Sequence, residues 1–127
     1  MTIIRDQNST PRGLAIIEKY EDVVTYLYPI LQRCPRKHGN VRDRIMTVMF
    51  DQVGLFYEAA KSGQPSRLYA ADANMATLRF WLRFAAHPEL KIITRRQEVV
   101  ALARLAEAGG MLGKWIATAK GGGRAGK

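Results

Sequence analysis

Hydrophobic residues recur along the chain at alternating spacings of three and four, a pattern that predicts helices. The clearest stretch runs from Leu68 to Phe84 and contains neither Gly nor Pro. One face of this stretch forms a heptad seam, which is typical of a helix packed nearly parallel to its neighbours. The seam consists of Leu68, Ala71, Met75, Leu78, Leu82 and Ala85.

The opposite face of the same predicted helix is also apolar. Ala73, Ala76, Phe80 and Phe84 lie away from the seam, and Trp81 flanks it. A helix that is apolar nearly all round is usually buried on a second side. A chain of 127 residues has few further layers with which to cover that side. We therefore predict a homo-oligomer whose interface includes Phe80, Trp81 and Phe84.

Two helices are predicted before this stretch. The first spans residues 14–34, and Pro29 within it predicts a kink after Tyr26. The second spans about residues 41–61, where Gln52 stands on a core-facing stripe and either hydrogen-bonds across the bundle or lies near its edge. The core-facing residues of the first are Ile17, Tyr20, Val24, Leu27, Leu31 and Cys34, widened by Ile16, Val23 and Ile30.

The turns and the fourth helix follow from local signals. Gly63 is a helix stop, and Ser66 is the expected N-cap of the third helix. After a connection that is extended or makes one turn, Thr94 and Gln97 resemble a capping box that opens a helix reaching about Lys120. Glycines 109, 110 and 113 predict either close approach to another helix or a bend. The inward residues of this helix are predicted to be Val99, Leu102, Leu105, Leu112 and Ile116.

Four helices of about 20 residues joined by short turns predict an all-α fold, an up-down-up-down four-helix bundle. We place the bundle at residues 13–120, between a flexible N-terminal segment, residues 1–12, and a flexible basic tail, residues 121–127. No uncharged apolar run approaches a membrane span in length. A single cysteine, Cys34, is typical of a cytoplasmic protein, and we interpret it as a core residue and not a nucleophile.

The charge of the chain is strongly positive. Twenty Lys and Arg oppose eleven Asp and Glu, giving a net charge of +9. Such a balance indicates an acidic partner, most often nucleic acid, although a basic surface that aids solubility has the same composition. The cationic groups are Arg33, Arg36, Lys37, His38, Arg42 and Arg44 around the first turn, with Arg95, Arg96 and Arg104 on the fourth helix. We expect the first turn and the end of the third helix at opposite ends of the bundle, so that charge spreads along its body.

Catalytic and metal-binding patterns are missing from the sequence. A di-iron bundle needs Glu-x-x-His pairs, and a zinc site needs several Cys or His ligands. The chain has Cys34, His38 and His87, and it contains no phosphate-binding loop in a strand–helix context. We predict a protein that is not an enzyme and that uses no metal or cofactor.

Several short motifs stand out along the chain: LYAADA (68–73) and RFWLRF (79–84), together with YLYPI (26–30), PRKHG (35–39) and GKWIA (113–117). With these motifs the sequence resembles the Avd family, the accessory variability determinant proteins of diversity-generating retroelements. The likeness extends from about residue 17 to the last residue. A wider related group comprises the four-helix-bundle proteins encoded in intervening sequences of 23S ribosomal RNA genes.

The resemblance implies a homopentameric barrel of basic four-helix protomers in a bacterial cell, either host- or phage-encoded. It implies a non-catalytic protein that binds nucleic acid, RNA or DNA, and a partner reverse transcriptase. With that enzyme and a template-repeat RNA, such proteins support mutagenic cDNA synthesis and retrohoming. The contacts we expect are Arg36, Lys37, His38, Arg79 and Arg83, with Arg33, Arg42 and Arg104.

Three alternatives stay open. Arg79 and Arg83 either contact the polymerase or RNA, or form an intersubunit ion pair, for which Asp72 is a candidate. The whole protein is either a retroelement accessory factor or a basic four-helix protein associated with ribosomal RNA without a polymerase partner. A structural helical oligomer whose charge aids solubility is the third reading, and it predicts no nucleic-acid binding at low salt.

Overall fold

The computed structural model describes the backbone of residues 11–125 and the side chains of residues 15–120. This part of the chain contains four α-helices and no strand. The helices are α1 (Pro11–Gln32), α2 (Gly39–Ser62), α3 (Pro65–Ala85) and α4 (Arg95–Ala125), and a short 3-10 helix (Arg36–His38) joins α1 to α2. Helices α1 and α3 each pack against both α2 and α4. The predicted all-α four-helix bundle is confirmed.

Contacts between the helices show that each runs antiparallel to the one before it. The Tyr20 ring packs against Phe56, whereas Tyr28, later in α1, packs against Phe50, which is earlier in α2. Between α2 and α3, Gln52 bonds to Ala71, and the earlier Val48 bonds to the later Asn74. Between α1 and α4, Lys19 lies 3.8 Å from Glu107, whereas Asp22, later in α1, is bonded by Arg104, which is earlier in α4. The chain therefore travels up, down, up and down.

This topology corrects the predicted distribution of charge. Two successive reversals return the chain to the end from which it started, so the first and third connections lie at the same end of the bundle. The sequence-based expectation of opposite ends was wrong. The basic residues around the first turn and those around the start of α4 are consequently gathered at one end.

The predicted seam of α3 is buried along its whole length. Ala71, Met75, Leu78, Leu82 and Ala85 are fully buried, and Leu68 is 3% exposed. Pro29 lies inside a continuous α1, so the expectation of one helix and not two is confirmed. In α1 the fully buried positions are Ile16, Tyr20, Val23, Leu27 and Leu31, while Ile17, Val24 and Ile30 are partly buried beside them.

The buried stripe of α4 differs from the predicted one at its start. Val99 is 50% exposed, so its inward placement was wrong. The stripe instead runs through Glu98, Ala101, Leu105, Ala108, Leu112 and Trp115. Two of these buried positions are alanines, Ala101 and Ala108. A prediction based on large apolar residues therefore selects the adjacent Val99 and Leu102 instead.

Gln52 is fully buried and hydrogen-bonds across the bundle, which is the first of the two predicted alternatives. Its side-chain amide donates to the Ala71 carbonyl at 3.0 Å. Asn74 donates to the Gln52 side-chain oxygen at 2.9 Å and to the Val48 carbonyl at 3.0 Å. A buried amide that lacked these partners would incur a desolvation cost, so the network ties α2 to α3 and fixes their register.

The helix ends follow their local sequence signals with one exception. Gly63 ends α2 in the left-handed conformation at φ 67°, and its N–H donates to the Ala59 carbonyl, as expected of a helix stop. Thr94 and Gln97 form the reciprocal bonds of a capping box, at 2.9 and 3.0 Å. The predicted N-cap at Ser66 was wrong, because α3 already begins at Pro65, whose fixed φ suits the first helical position.

Helix α4 continues to Ala125, beyond its expected end near Lys120. Each added residue supplies another backbone hydrogen bond, and no Pro interrupts the segment. The backbone of residues 121–125, which the sequence predicted as part of a flexible tail, is therefore helical. Of the N-terminal segment predicted for residues 1–12, residues 1–10 lie outside the described part of the chain. Its last two residues belong to α1, which begins at Pro11.

The connection between α3 and α4 makes one turn. The amides of Leu90 and Lys91 donate to the His87 carbonyl, and those of Ile92 and Ile93 donate to the Ala85 carbonyl. Ile92 and Ile93 are buried against the core, which anchors the connection to the bundle. Lys91 reverses the chain in the left-handed region at φ 51°.

Candidate nucleic-acid and partner interface

Exposed cationic side chains cluster at the end of the bundle that carries the first and third connections. We call this cluster the basic end, and it comprises Arg33, Arg36, Lys37, Arg44, Arg83, Lys91 and Arg96. Among the described side chains, none of these residues has an ion-pair partner. Their charges are therefore available to an external anion, and repulsion among them is relieved when one binds.

The local fold explains how the first part of the basic end is presented. Helix α1 ends at Gln32, and Pro35 precedes the 3-10 helix, where the His38 amide donates to the Pro35 carbonyl at 3.0 Å. Arg36 and Lys37 are exposed on this single turn, and His38 is half-buried. The adjacent Cys34 is buried, as expected for a core residue.

Arg42 differs from its neighbours because it already has a partner. Its guanidinium donates to the Asp43 carboxylate at 3.0 Å. This hydrogen bond, together with the attraction of the carboxylate, raises the pKa of Arg42 above its usual value. Arg42 also lies against Gly39, and its charge is less available to a ligand than that of Arg44.

Arg79 and Arg83 lie one turn apart on α3 but in different surroundings. Arg79 is half-buried, and its guanidinium lies against Gly109 of α4. Arg83 is exposed and lines a cavity at the basic end. Neither arginine pairs with Asp72 within the described chain, and an ion pair between subunits stays a prediction.

Arg104 ties α4 to α1. Its guanidinium donates to the Asp22 carbonyl at 3.4 Å and lies 5.0 Å from the centre of the Tyr26 ring. A cation over an aromatic face is stabilised by the negative charge of that face. The chain path thus places Arg33, Arg36, Lys37 and Arg83 at the same end of the bundle, whereas Arg104 lies on its side.

The three aromatic residues predicted at an oligomer interface form one cluster on the outside of α3, which we call the aromatic face. Phe80 is 50% exposed and Phe84 is 37% exposed, while Trp81 is partly buried against the core. The ring centres of Phe80 and Trp81 lie 5.2 Å apart, and those of Trp81 and Phe84 lie 5.7 Å apart. The rings support one another as a preformed apolar surface.

A second unpartnered surface, on α4, was missed by sequence reasoning. We call it the small-residue face, and it comprises Ala103, Ala106, Gly110, Gly113 and Ala117, all exposed. Added Cβ atoms at Gly110 and Gly113 would meet nothing within 4 Å, and one at Gly109 would meet the Met75 side chain at 3.7 Å. Close approach to a helix of the same chain is thus limited to Gly109. The missed signal is the alternating spacing of three and four among these small residues.

The described residues hold no group of three or more His, Cys, Asp or Glu side chains that is arranged to bind a metal ion. Among the helices that the structure describes, none is both long enough and apolar enough to cross a membrane. The site is therefore built from cations and apolar surface, which are groups that bind partners by charge and by burial of area.

The fold and these surfaces define a basic four-helix-bundle protein with an unpartnered aromatic face. The family model described as bAvd-like matches residues 14–119, and the chain therefore belongs to that family. This match confirms the resemblance to the Avd proteins and includes residues of all four helices. A search of curated proteins found no match to this chain.

Proposed function

We propose that this protein is a non-catalytic accessory factor of a diversity-generating retroelement. In this role it binds the element's reverse transcriptase and nucleic acid and supports mutagenic cDNA synthesis and retrohoming. Membership of the bAvd-like family supports this assignment. The single structural observation that carries it is the basic end, where seven exposed cations lack ion-pair partners among the described residues.

The basic end suits the phosphate backbone of RNA or DNA. Lys and Arg side chains that contact phosphates supply affinity without reading sequence, and their binding weakens as salt rises. The 3-10 helix itself (Arg36–His38) contains no Phe, Tyr or Trp on which bases would stack. We therefore assign the 3-10 helix to backbone contacts and expect little sequence preference.

We further propose that the protein assembles with copies of itself, with five subunits as the family resemblance implies. The aromatic face supplies protruding rings, and the small-residue face offers a flat helix surface that a neighbour can approach closely. Contact between two different faces is heterologous, and such contacts close into rings when the rotation between subunits permits. A ring of five would carry a charge of about +45 if each subunit carries +9.

Co-purification with the reverse transcriptase encoded nearest to this gene, at moderate salt, tests the accessory role. We expect a stable complex with the unaltered protein. Replacing Arg36 and Lys37 by Glu should reduce recovery of the polymerase or of the template RNA at least about tenfold, because attraction becomes repulsion. The matched control is Lys114→Glu with Lys120→Glu, which changes the net charge equally but away from the basic end.

Two outcomes would oppose this proposal. RNA binding without a polymerase complex would favour the alternative, a four-helix protein associated with ribosomal RNA or with an intervening sequence in its gene. Loss of binding to the same degree in the control variant would mean that total charge, and not the basic end, attracts the partner.

A further inference from the structure

A cavity of about 630 Å³ opens at the basic end, beneath the one-turn connection between α3 and α4. The last turn of α3, the connection and the first turn of α4 enclose it. Its volume falls within the range of small-ligand and side-chain binding sites. The lining residues are Arg83, Ala86, His87, Pro88, Lys91, Ile93, Thr94, Arg95 and Glu98.

The lining combines apolar walls with uncompensated positive charge. Ala86, Pro88 and Ile93 provide apolar surface. Among the described residues of the lining, Glu98 is the only carboxylate, and Arg95 contacts it at 2.8 Å. That pair is internally neutral, which leaves Arg83 and Lys91 as the two charges available to a ligand.

His87 adds a directional donor to the same lining. Its Nδ1 accepts a hydrogen bond from the Glu89 amide at 3.1 Å. A neutral imidazole that accepts at Nδ1 carries its proton on Nε2, and this N–H has no partner among the described residues. A carboxylate or phosphate oxygen is the kind of acceptor that this donor and the two cations would share.

Lys91 is held at the cavity by an uncommon backbone conformation. Its φ of 51° lies in the left-handed region, which a lysine adopts only at a cost in free energy. The Lys91 amide donates to the His87 carbonyl within the connection, and the Ile93 amide donates to the Ala85 carbonyl at the end of α3. A glycine would adopt this backbone conformation at lower cost, but the lysine places a cationic side chain in the lining.

The chemistry of the walls distinguishes the two kinds of anion that the proposed function allows. Proteins that bind single-stranded nucleic acid usually stack its bases on the rings of Phe, Tyr or Trp. Among the described residues, no Phe, Tyr or Trp lines this cavity, and its apolar walls are aliphatic. An aliphatic recess beside two cations fits an apolar side chain with a neighbouring carboxylate, as in an acidic segment of a protein.

We propose that this cavity binds a short acidic–apolar segment of a protein partner. An aliphatic side chain of the segment packs against Ala86 and Ile93, and an adjacent carboxylate pairs with Arg83 and Lys91. This proposal extends the proposed accessory function and depends on it, because that function supplies a protein partner. Arg83 thus becomes a protein contact, whereas Arg36 and Lys37 contact phosphates.

Fluorescence polarisation with the full chain tests this assignment. The probe is a fluorescein-labelled peptide with the core Glu-Leu-Glu between serines. We expect saturable binding that weakens at least about tenfold when Leu is replaced by Ser or when both Glu are replaced by Gln. Arg83→Glu with Lys91→Glu should weaken binding to a similar degree, and so should Ala86→Leu, which fills the recess without changing charge.

The control protein is again Lys114→Glu with Lys120→Glu, which should bind the peptide within about twofold of the unaltered chain. Circular dichroism verifies that each variant retains its helices. The proposal is overturned if the unaltered chain does not bind the peptide, or if Ala86→Leu binds it normally. It is also overturned if an oligothymidylate displaces the peptide and loses its own binding in the Ala86→Leu variant, since the cavity would then be a nucleic-acid site.

Co-purification of the same variants separates this proposal from the accessory function. If the Ala86→Leu variant still forms the polymerase complex, the accessory function stands, but the cavity is not needed for polymerase binding. Peptide binding by the cavity without any polymerase complex would retain the acidic-segment site and refute the polymerase as the partner.

Discussion

Tyr20 illustrates how single polar atoms are accommodated in this core. Its ring is fully buried and meets Phe56 edge to face, with ring centres 5.7 Å apart. Its hydroxyl donates to the Met49 carbonyl, so the polar atom is satisfied inside the bundle. Because water cannot solvate a phenolate at this position, burial raises the pKa of Tyr20 well above its usual value of about 10.

This shift predicts a loss of stability at alkaline pH. The folded state holds the Tyr20 proton more tightly than the unfolded state does, so its contribution is complete below about pH 10 and is lost as pH rises further. We expect the free energy of unfolding to fall above about pH 10, measured by urea denaturation at fixed protein concentration. Tyr20→Phe should lower stability by about 1 kcal/mol at neutral pH and flatten the alkaline decline.

The exposed Tyr57 provides the control for this prediction. Tyr57→Phe should leave the alkaline decline unchanged, because the Tyr57 side chain is 40% exposed and lies outside the core. An equally steep decline in the Tyr20→Phe protein would assign the alkaline sensitivity to other groups.

Individual residues also mark where sequence reasoning reached its limit. The seam of α3 was predictable because Leu68, Met75, Leu78 and Leu82 mark one buried face clearly enough for the alanines between and after them to be assigned to it. The stripe of α4 was not, because Ala101 and Ala108 give a weaker signal than the exposed Val99. The conformation of Lys91 and the partners of Gln52 depend on tertiary contacts, and no local pattern encodes them.

At the scale of elements, α3 and α4 each have a buried face and an unpartnered one. The aromatic face of α3 protrudes, and the small-residue face of α4 is flat. Exposed aromatic clusters of this kind are commonly interaction sites. The sequence indicated the first surface through its aromatic residues, but it did not identify the second, because alanine and glycine are equally compatible with a solvent-exposed helix.

Self-association through these two faces predicts the effect of a charge on either one. Phe80→Glu and, separately, Ala106→Glu should raise the dissociation constant for self-association at least about tenfold, because each buries an unpaired carboxylate at the contact. Sedimentation velocity should then detect the 14.3 kDa monomer in place of a larger species. Circular dichroism should report unchanged helical content.

Tyr57→Glu supplies the matched control, since Tyr57 is 40% exposed on α2, outside both faces. It should leave the sedimentation coefficient unchanged. If Phe80→Glu dissociates the assembly and Ala106→Glu does not, the aromatic face contacts some surface other than the small-residue face.

The whole molecule acquires its charge asymmetry from chain topology. The two basic groups are distant in sequence, but an up-down-up-down path returns both to one end. The two basic groups could be identified directly in the sequence, and the fold class was predictable from the periodicity of the hydrophobic residues. The prediction that the two groups lie at opposite ends was wrong because it misassigned the ends at which the successive connections lie. The antiparallel contacts between the helices show that both groups lie at one end.

This asymmetry predicts a salt dependence that a uniformly basic surface would not have. Each phosphate contact contributes about 0.7 to the slope of log affinity against log salt for single strands. Arg36→Glu with Lys37→Glu should therefore reduce the slope for an oligothymidylate by about 1.4 for each subunit in contact, if both side chains contact phosphates. Lys114→Glu with Lys120→Glu should leave the slope unchanged and lower affinity only through long-range charge. Equal changes in the two variants would mean that nucleic acid follows the net charge of the molecule, whereas a change confined to the first would assign the phosphate contacts to the basic end.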